Sequence, residues 1–145
     1  MKEKTKNVIL YLVKRLGPRM EGRKKLMKLM FLIEHFDPET GKLTRRHLLG
    51  NRFFIYHYGV FSFDVMNSYE ELVREGKIRD TYPLRLGREV GVRLDEELER
   101  AVEGIIEKFG DYTGFDLELA TLEMLKIIPF EKDAFFGREV DEILP

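Results

Sequence analysis

Three histidines, two serines and no cysteine are the side chains from which a catalytic or metal centre would have to be built. Without a thiol there is no disulfide, no thiolate nucleophile and no Cys-based zinc site. His35, His47 and His57 stand 12 and 10 residues apart. A helix offers two imidazoles to one ion at i, i+4, and no HExxH run is present. His35 with Glu34 and Asp37 reads as a surface cluster at a helix end. The pattern predicts no metal ion and no cofactor. Ser62 and His57, brought together across Gly59, would be a nucleophile and its base. Ser62 also stands where a helix cap belongs, which accounts for it without chemistry, and the GxSxG elbow is missing. Neither GxGxxG nor GxxxxGK[ST] occurs, so no glycine loop cradles a phosphate. Glu99 and Glu103 read as a solvated helix face. These absences together predict that the chain is not an enzyme.

Two other signals point to binding. The first is basic. Arg23, Lys24, Lys25 and Lys28 cluster in one predicted helix, where Lys24 and Lys28 are an i, i+4 pair and would form one ridge. Arg45 and Arg46 add to it. Residues 1–52 carry 14 Lys+Arg against 5 Asp+Glu, and residues 95–145 carry 5 against 15, although the whole chain is at −1. Such a gradient suits an acidic protein or a nucleic acid as partner. Alternatively, the two ends pack on each other and neutralise. The second signal is aromatic. Phe53, Phe54, Tyr56, His57, Tyr58 and Phe61 fall within nine residues. Residues 53–58 read as one short strand, with Phe53, Ile55 and His57 on one side and Phe54, Tyr56 and Tyr58 on the other. Such a strand is either covered on both faces, by the second helix and the acidic C-terminal helices, or forms one wall of a partner groove.

The elements that position these residues follow from periodicity and end signals. Helices are predicted over 2–16, stopped by Gly17-Pro18, and over 22–36, apolar nearly all round and so central. A turn at 37–41 and a short helix at 44–49 follow. The strongest element is the helix starting at Phe63. Ser62 is its cap, Phe61 and Met66 its hydrophobic staple, and Gly76 its end. Strands at 78–82 and 89–94 flank a turn, and helices begin at Asp95 and Gly114. Residues 130–145 read as a loosely docked tail, held by Phe135 and Phe136, on a single domain of 145 residues. The fold class is α+β and mostly helical, with a winged-helix-like helix–strand–helix–hairpin core and additional C-terminal helices. The apolar run VILYLV is too short for a leader or a membrane span. This and the missing cysteine predict a cytoplasmic protein. Lys/Glu richness without glutamine is the bias of a thermophilic, archaeal source.

The segments GRKKLMKLMFLIEHF and FFIYHYGVFSFDVMNSYEELVREGKI, with a weaker echo in FGDYTGFDLELATLE, together resemble the Panacea domain group. That group takes in SocA-like antitoxins and YwgA-like proteins. It has a KLQKLLYF-type helix, an aromatic run ending in Gly-Pro, and a helix ending in Leu-x-x-x-Gly-x-Ile. Its last segment is of the type Tyr-Gly-x-x-x-x-x-Leu-x-x-x-Thr-His. Val60 stands in place of the usual proline, Met27 of a glutamine and Leu122 of a histidine. The resemblance spans most of 22–123. It implies a non-enzymatic protein-binding module, an antitoxin or a proteolytic adaptor, and singles out Lys25, Lys28, Gly59, Ser62 and Thr121.

The expected function is therefore a protein-interaction module, antitoxin-like or regulatory. Arg23, Lys24, Lys28, Arg45, Arg46, Tyr56, His57 and Tyr58 are its candidate contact residues. The rival is a winged-helix DNA-binding regulator of transcription. Its recognition helix would be 63–75, which carries Asp64, Glu70, Glu71 and Glu75 against one arginine. That charge disfavours a major groove. Nucleic-acid binding is expected to be weak and nonspecific, through the ridge or through Arg79, Arg85, Arg88 and Arg93. No membrane partner is expected, and a homodimer is compatible with the sequence.

Overall fold

The computed structural model describes residues 2–87 and 90–144. It is α+β and mostly helical. Helix α1 (Glu3–Leu16) turns through a short 3₁₀ segment (Gly17–Arg19) into α2 (Arg23–His35). Two-residue strands β1 (Phe36–Asp37) and β2 (Lys42–Leu43) pair across the 38–41 turn. Strands β3 (Phe54–Tyr56) and β4 (Gly59–Phe61) form a hairpin that leads into α3 (Phe63–Arg74). A second hairpin, β5 (Ile78–Arg79) and β6 (Arg85–Leu86), follows α3 at once. Helices α4 (Glu96–Phe109) and α5 (Gly114–Met124) come next, then a 3₁₀ segment (Pro129–Phe135) and a last turn of helix, α6 (Val140–Ile143).

Helix α2 is the axis of the molecule. It packs against α1, α3, α4, α5 and β4. Every residue from 25 to 35 is buried, as an all-round apolar helix requires. Leu29, Met30, Phe31 and Leu32 lose all contact with solvent, and each contributes about 1.5–3 kcal/mol by burial. Helix α3 follows α1 and α2 in a three-helix cluster and then runs into its hairpin. The β1–β2 and β3–β4 hairpins stand between α2 and α3 in the chain.

Local signals were accurate where they were dense. The Ser62 hydroxyl accepts a hydrogen bond from the Val65 N–H at 3.2 Å, and Gly76 takes a left-handed φ of +76° just past the helix. Ser62→Ala should therefore cost about 1 kcal/mol in urea denaturation. A loss of partner binding without that loss of stability would assign the hydroxyl a contact role instead.

Four expectations are corrected. The stretch 53–58 is not one strand: the chain turns at His57 and Tyr58, and β3 pairs back on β4. Gly59 sits at φ +89°, a backbone conformation glycine reaches without strain. No helix forms at 44–49, where the backbone is instead held by Glu34. The second wing strand is 85–86 rather than 89–94; residues 90–94 have no strand structure, and residue 89 lies outside the described residues. The C-terminal tail is not loosely docked. Ile55 of β3 and Phe53 just before it exchange backbone hydrogen bonds with Gly137, Arg138 and Val140, and Val140 and Leu144 are buried.

The charge gradient is resolved by packing. Arg15 holds Glu103 through two hydrogen bonds of 2.6 Å, and Arg19 meets Asp111 at 2.9 Å. Lys24 meets Glu118 at 2.6 Å, and Arg52 pairs with Glu139. The basic first helices and the acidic last ones thus pair with each other, mostly at the surface along their junctions. Glu103, which also accepts from the Tyr11 hydroxyl, is one-third exposed and ion-paired, while Glu99 stays on the solvated face. Among the described residues no helix is long and apolar enough to cross a membrane.

Candidate functional site

The candidate contact residues fall into three groups. Tyr56, His57 and Tyr58 lie on the β3–β4 hairpin, whose two faces differ. Phe53 and Ile55 point inward and are buried. The other face is only half covered. Tyr56 is the hub of an aromatic cluster, with ring centroids 5.6 Å from Phe61, 5.6 Å from Phe63 and 4.9 Å from Phe136. His57 does not share the inward face as strand alternation predicts. It is exposed, with its ring 4.8 Å from Phe136, and Ser62 is buried as a cap, so the two form no catalytic pair. Tyr58 is 67% exposed, Phe63 51% and Phe136 45%. Exposed aromatics gathered on one face are the composition of a contact surface.

Beside this face lies an open cleft of about 720 Å³, between the start of α2, the hairpin, Met66 of α3 and the Asp80–Tyr82 loop. A smaller hollow of about 410 Å³ lies between the hairpin and Phe63 and Phe136. Tyr58, Phe61 and Lys28 line both. At the rim Arg23 is exposed, with Nε 3.7 Å from Asp80. Lys24 stands over the Tyr58 ring at 4.9 Å, in cation–π range.

Lys24 and Lys28 do not form an open basic ridge. Lys28 is 2% exposed. Its Nζ donates to the carbonyls of Tyr58 and Val60, the latter at 2.8 Å. Burial pushes its pKa down to about 7, against an opposing pull from Glu118. A lowered lysine in a cleft is a nucleophile candidate, but a neutral amine has two protons and both face backbone acceptors here. Its geometry is that of an interior clamp. Lys25, also 2% exposed, donates to the carbonyls of Arg19 at 2.8 Å and Gly110 at 2.7 Å. Gly59 and Ser62 shape the hairpin exit, and the Thr121 hydroxyl donates back to Leu117 at 2.7 Å within α5. Of the five residues singled out by the family resemblance, Lys25 and Lys28 thus lace α2 to its neighbours, Gly59 and Ser62 shape and cap the chain around the hairpin, and Thr121 bonds only within its own helix.

Arg45 and Arg46 are exposed, and both also brace the fold. Arg45 donates to the carbonyls of Asp141 at 2.9 Å and Leu144 at 2.5 Å, and Arg46 to that of Phe36 at 2.7 Å. They hold the C-terminal tail and the β1 strand.

Three residues have places that the sequence did not reveal. Glu34, fully buried, accepts backbone hydrogen bonds from Leu49, Gly50 and Asn51, the last two at 3.0 Å. Phe136 and Asp141 come from the tail and complete the aromatic face and a histidine cluster. In that cluster His35 and His47 have ring centroids 4.8 Å apart, with Asp141 against His47 at 2.8 Å. His35 is not on a surface with Glu34 and Asp37 but is fully buried, and burial lowers its pKa.

No protein-family profile, no curated protein and no solved structure matches the chain.

Proposed function

We propose that the chain is a non-catalytic, cytoplasmic protein-interaction module, antitoxin-like or regulatory, that docks a partner protein on the aromatic face of the β3–β4 hairpin. The observation that carries this reading is the exposure of Tyr58, Phe63 and Phe136 around Tyr56, next to an apolar cleft. Buried aromatic anchors supply most of the affinity at such surfaces. The cleft accepts an apolar side chain between Phe61, Met66 and Tyr82, and Arg23 at its rim favours a carboxylate beside it. The resemblance to the Panacea group supports the same class of function.

The DNA-binding alternative has one observation in its favour: Arg79, Arg85 and Arg93 are exposed on or beside the β5–β6 hairpin. Arg88 lies outside the described residues. Against it, Lys6 engages Glu71 and Glu75 on α3, and most of the cations counted on helices 1 and 2 are paired within the fold.

The test compares wild type with Tyr58→Ala/Phe63→Ser by affinity capture from the native organism, at matched stability. A protein held by wild type should be lost by at least about tenfold in the variant. Retention by both would remove this face from the function. Tight, sequence-selective DNA binding that persists at about 200 mM salt would replace the reading with the DNA-binding one, since phosphate contacts alone weaken steeply with salt.

A further inference from the structure

The cluster of His35, His47 and Asp141 joins the end of α2, the loop after β2 and α6. One ligand atom from each lies within 4.8 Å of the others. The hydrogen bonds around it decide which atoms these are. His35 Nδ1 is 2.9 Å from the carbonyl of Thr44, and His47 Nδ1 is 3.2 Å from the carbonyl of Asn51. A carbonyl only accepts, so both Nδ1 atoms carry the proton. In the neutral rings both Nε2 atoms are then left with a lone pair.

Neither lone pair is answered within the protein. His47 Nε2 faces the two carboxylate oxygens of Asp141 at 2.8 and 3.0 Å, acceptor against acceptor. His35 Nε2 is buried and has no hydrogen-bond partner; His35 itself is 0% exposed. A proton on His47 would satisfy the pair with Asp141 and leave His35 Nε2 stranded. One cation satisfies all three. From this geometry we infer that His35, His47 and Asp141 bind a divalent transition-metal ion of the zinc class. Two imidazole nitrogens and one carboxylate are a donor set for such an ion, with bonds near ~2.0–2.1 Å. A tetrahedral ion sets its ligands about 3.3–3.5 Å apart, so rotation of the exposed His47 and the half-buried Asp141 closes the sphere. A backbone carbonyl on each Nδ1 is the support that fixes metal-binding histidines. The site reverses what the histidine spacing implies, because the ligands come from three distant segments.

The ion would tie the tail to α2 and so stabilise the fold. The test uses tag-free, chelator-stripped full-length protein. Cobalt should bind at one equivalent with the visible absorption of a tetrahedral N/O site, zinc should displace it, and zinc should raise the melting temperature. His47→Gln and Asp141→Asn, both on accessible side chains, should stay folded and bind cobalt more than about a hundredfold more weakly. Folded wild type that takes up no cobalt overturns the site. So does binding that both variants retain. So does an imidazolium–carboxylate pair only, seen as a His47 titration that metal leaves unmoved.

Discussion

Glu34→Ala should lower stability by about 3–5 kcal/mol, among the largest losses from one side chain in this fold. The carboxylate lies in the interior on α2 and accepts three consecutive backbone N–H groups, from Leu49, Gly50 and Asn51. Alanine leaves those donors facing a cavity, and each unsatisfied buried donor costs about 1–3 kcal/mol. Partial opening of the loop to water recovers some of that cost. The damage spreads through Asn51, whose side-chain amide donates to Thr5 on α1 at 3.1 Å. Glu34→Gln keeps one acceptor and sets an amide donor against a backbone donor, so it should fall between wild type and alanine. Urea denaturation followed by circular dichroism measures both. A loss under about 1 kcal/mol for alanine would show that the 49–51 loop is held by its apolar contacts rather than by the carboxylate.

Glu34 also shows where sequence reading ended. Helix α3 was legible from cap to terminus because its signals are local: a serine cap, a first-turn aspartate, an apolar stripe and a glycine in left-handed conformation. The axial place of α2 was legible from its apolar circumference. The polar residues inside that circumference were not. Lys25, Lys28, Glu34 and His35 read as a ridge and a surface cluster, since charge normally marks solvent. Their partners are backbone carbonyls and N–H groups, which every residue type supplies. No side-chain pattern announces such a clamp. Residues 53–58 were read as one strand, carried through the turn at His57 and Tyr58, because the run is apolar or aromatic at nearly every position. The hairpin's third hydrogen-bonding neighbour comes from residues 137–140, more than eighty positions away in sequence. The same distance hides the histidine cluster, whose aspartate lies in the tail. The aromatic face was legible as a composition, but its exposure follows from pairing that composition does not encode.

Lys28 gives the second large effect, and it depends on pH. Its pKa is lowered by burial from the ordinary 10.5 to about 7. In the unfolded chain the amine stays protonated up to its ordinary value, so between these limits the unfolded state binds more protons. Stability therefore rises with pH across that window and carries the full cost of the buried charge below about pH 7. From pH 7 to 9 the gain should be on the order of 2 kcal/mol. The Lys25 pKa is lowered too, again by burial, and adds in the same direction. The neutral Lys28 amine keeps both of its donors on Tyr58 and Val60 while the desolvation penalty disappears. Lys28→Met fills the same space without a proton to lose. It should lose most of the slope between pH 7 and 9. It should also leave two hairpin carbonyls unpaired, costing roughly 2–4 kcal/mol at pH 9, where the wild-type amine is neutral. Because those carbonyls set the position of Tyr58, the variant should weaken partner capture along with stability. Chemical denaturation of both proteins at several pH values gives the answer. A wild-type stability that stays flat or falls over this range, with the variant parallel to it, would mean that Lys28 remains an ammonium in the fold and that its two carbonyls compensate its burial.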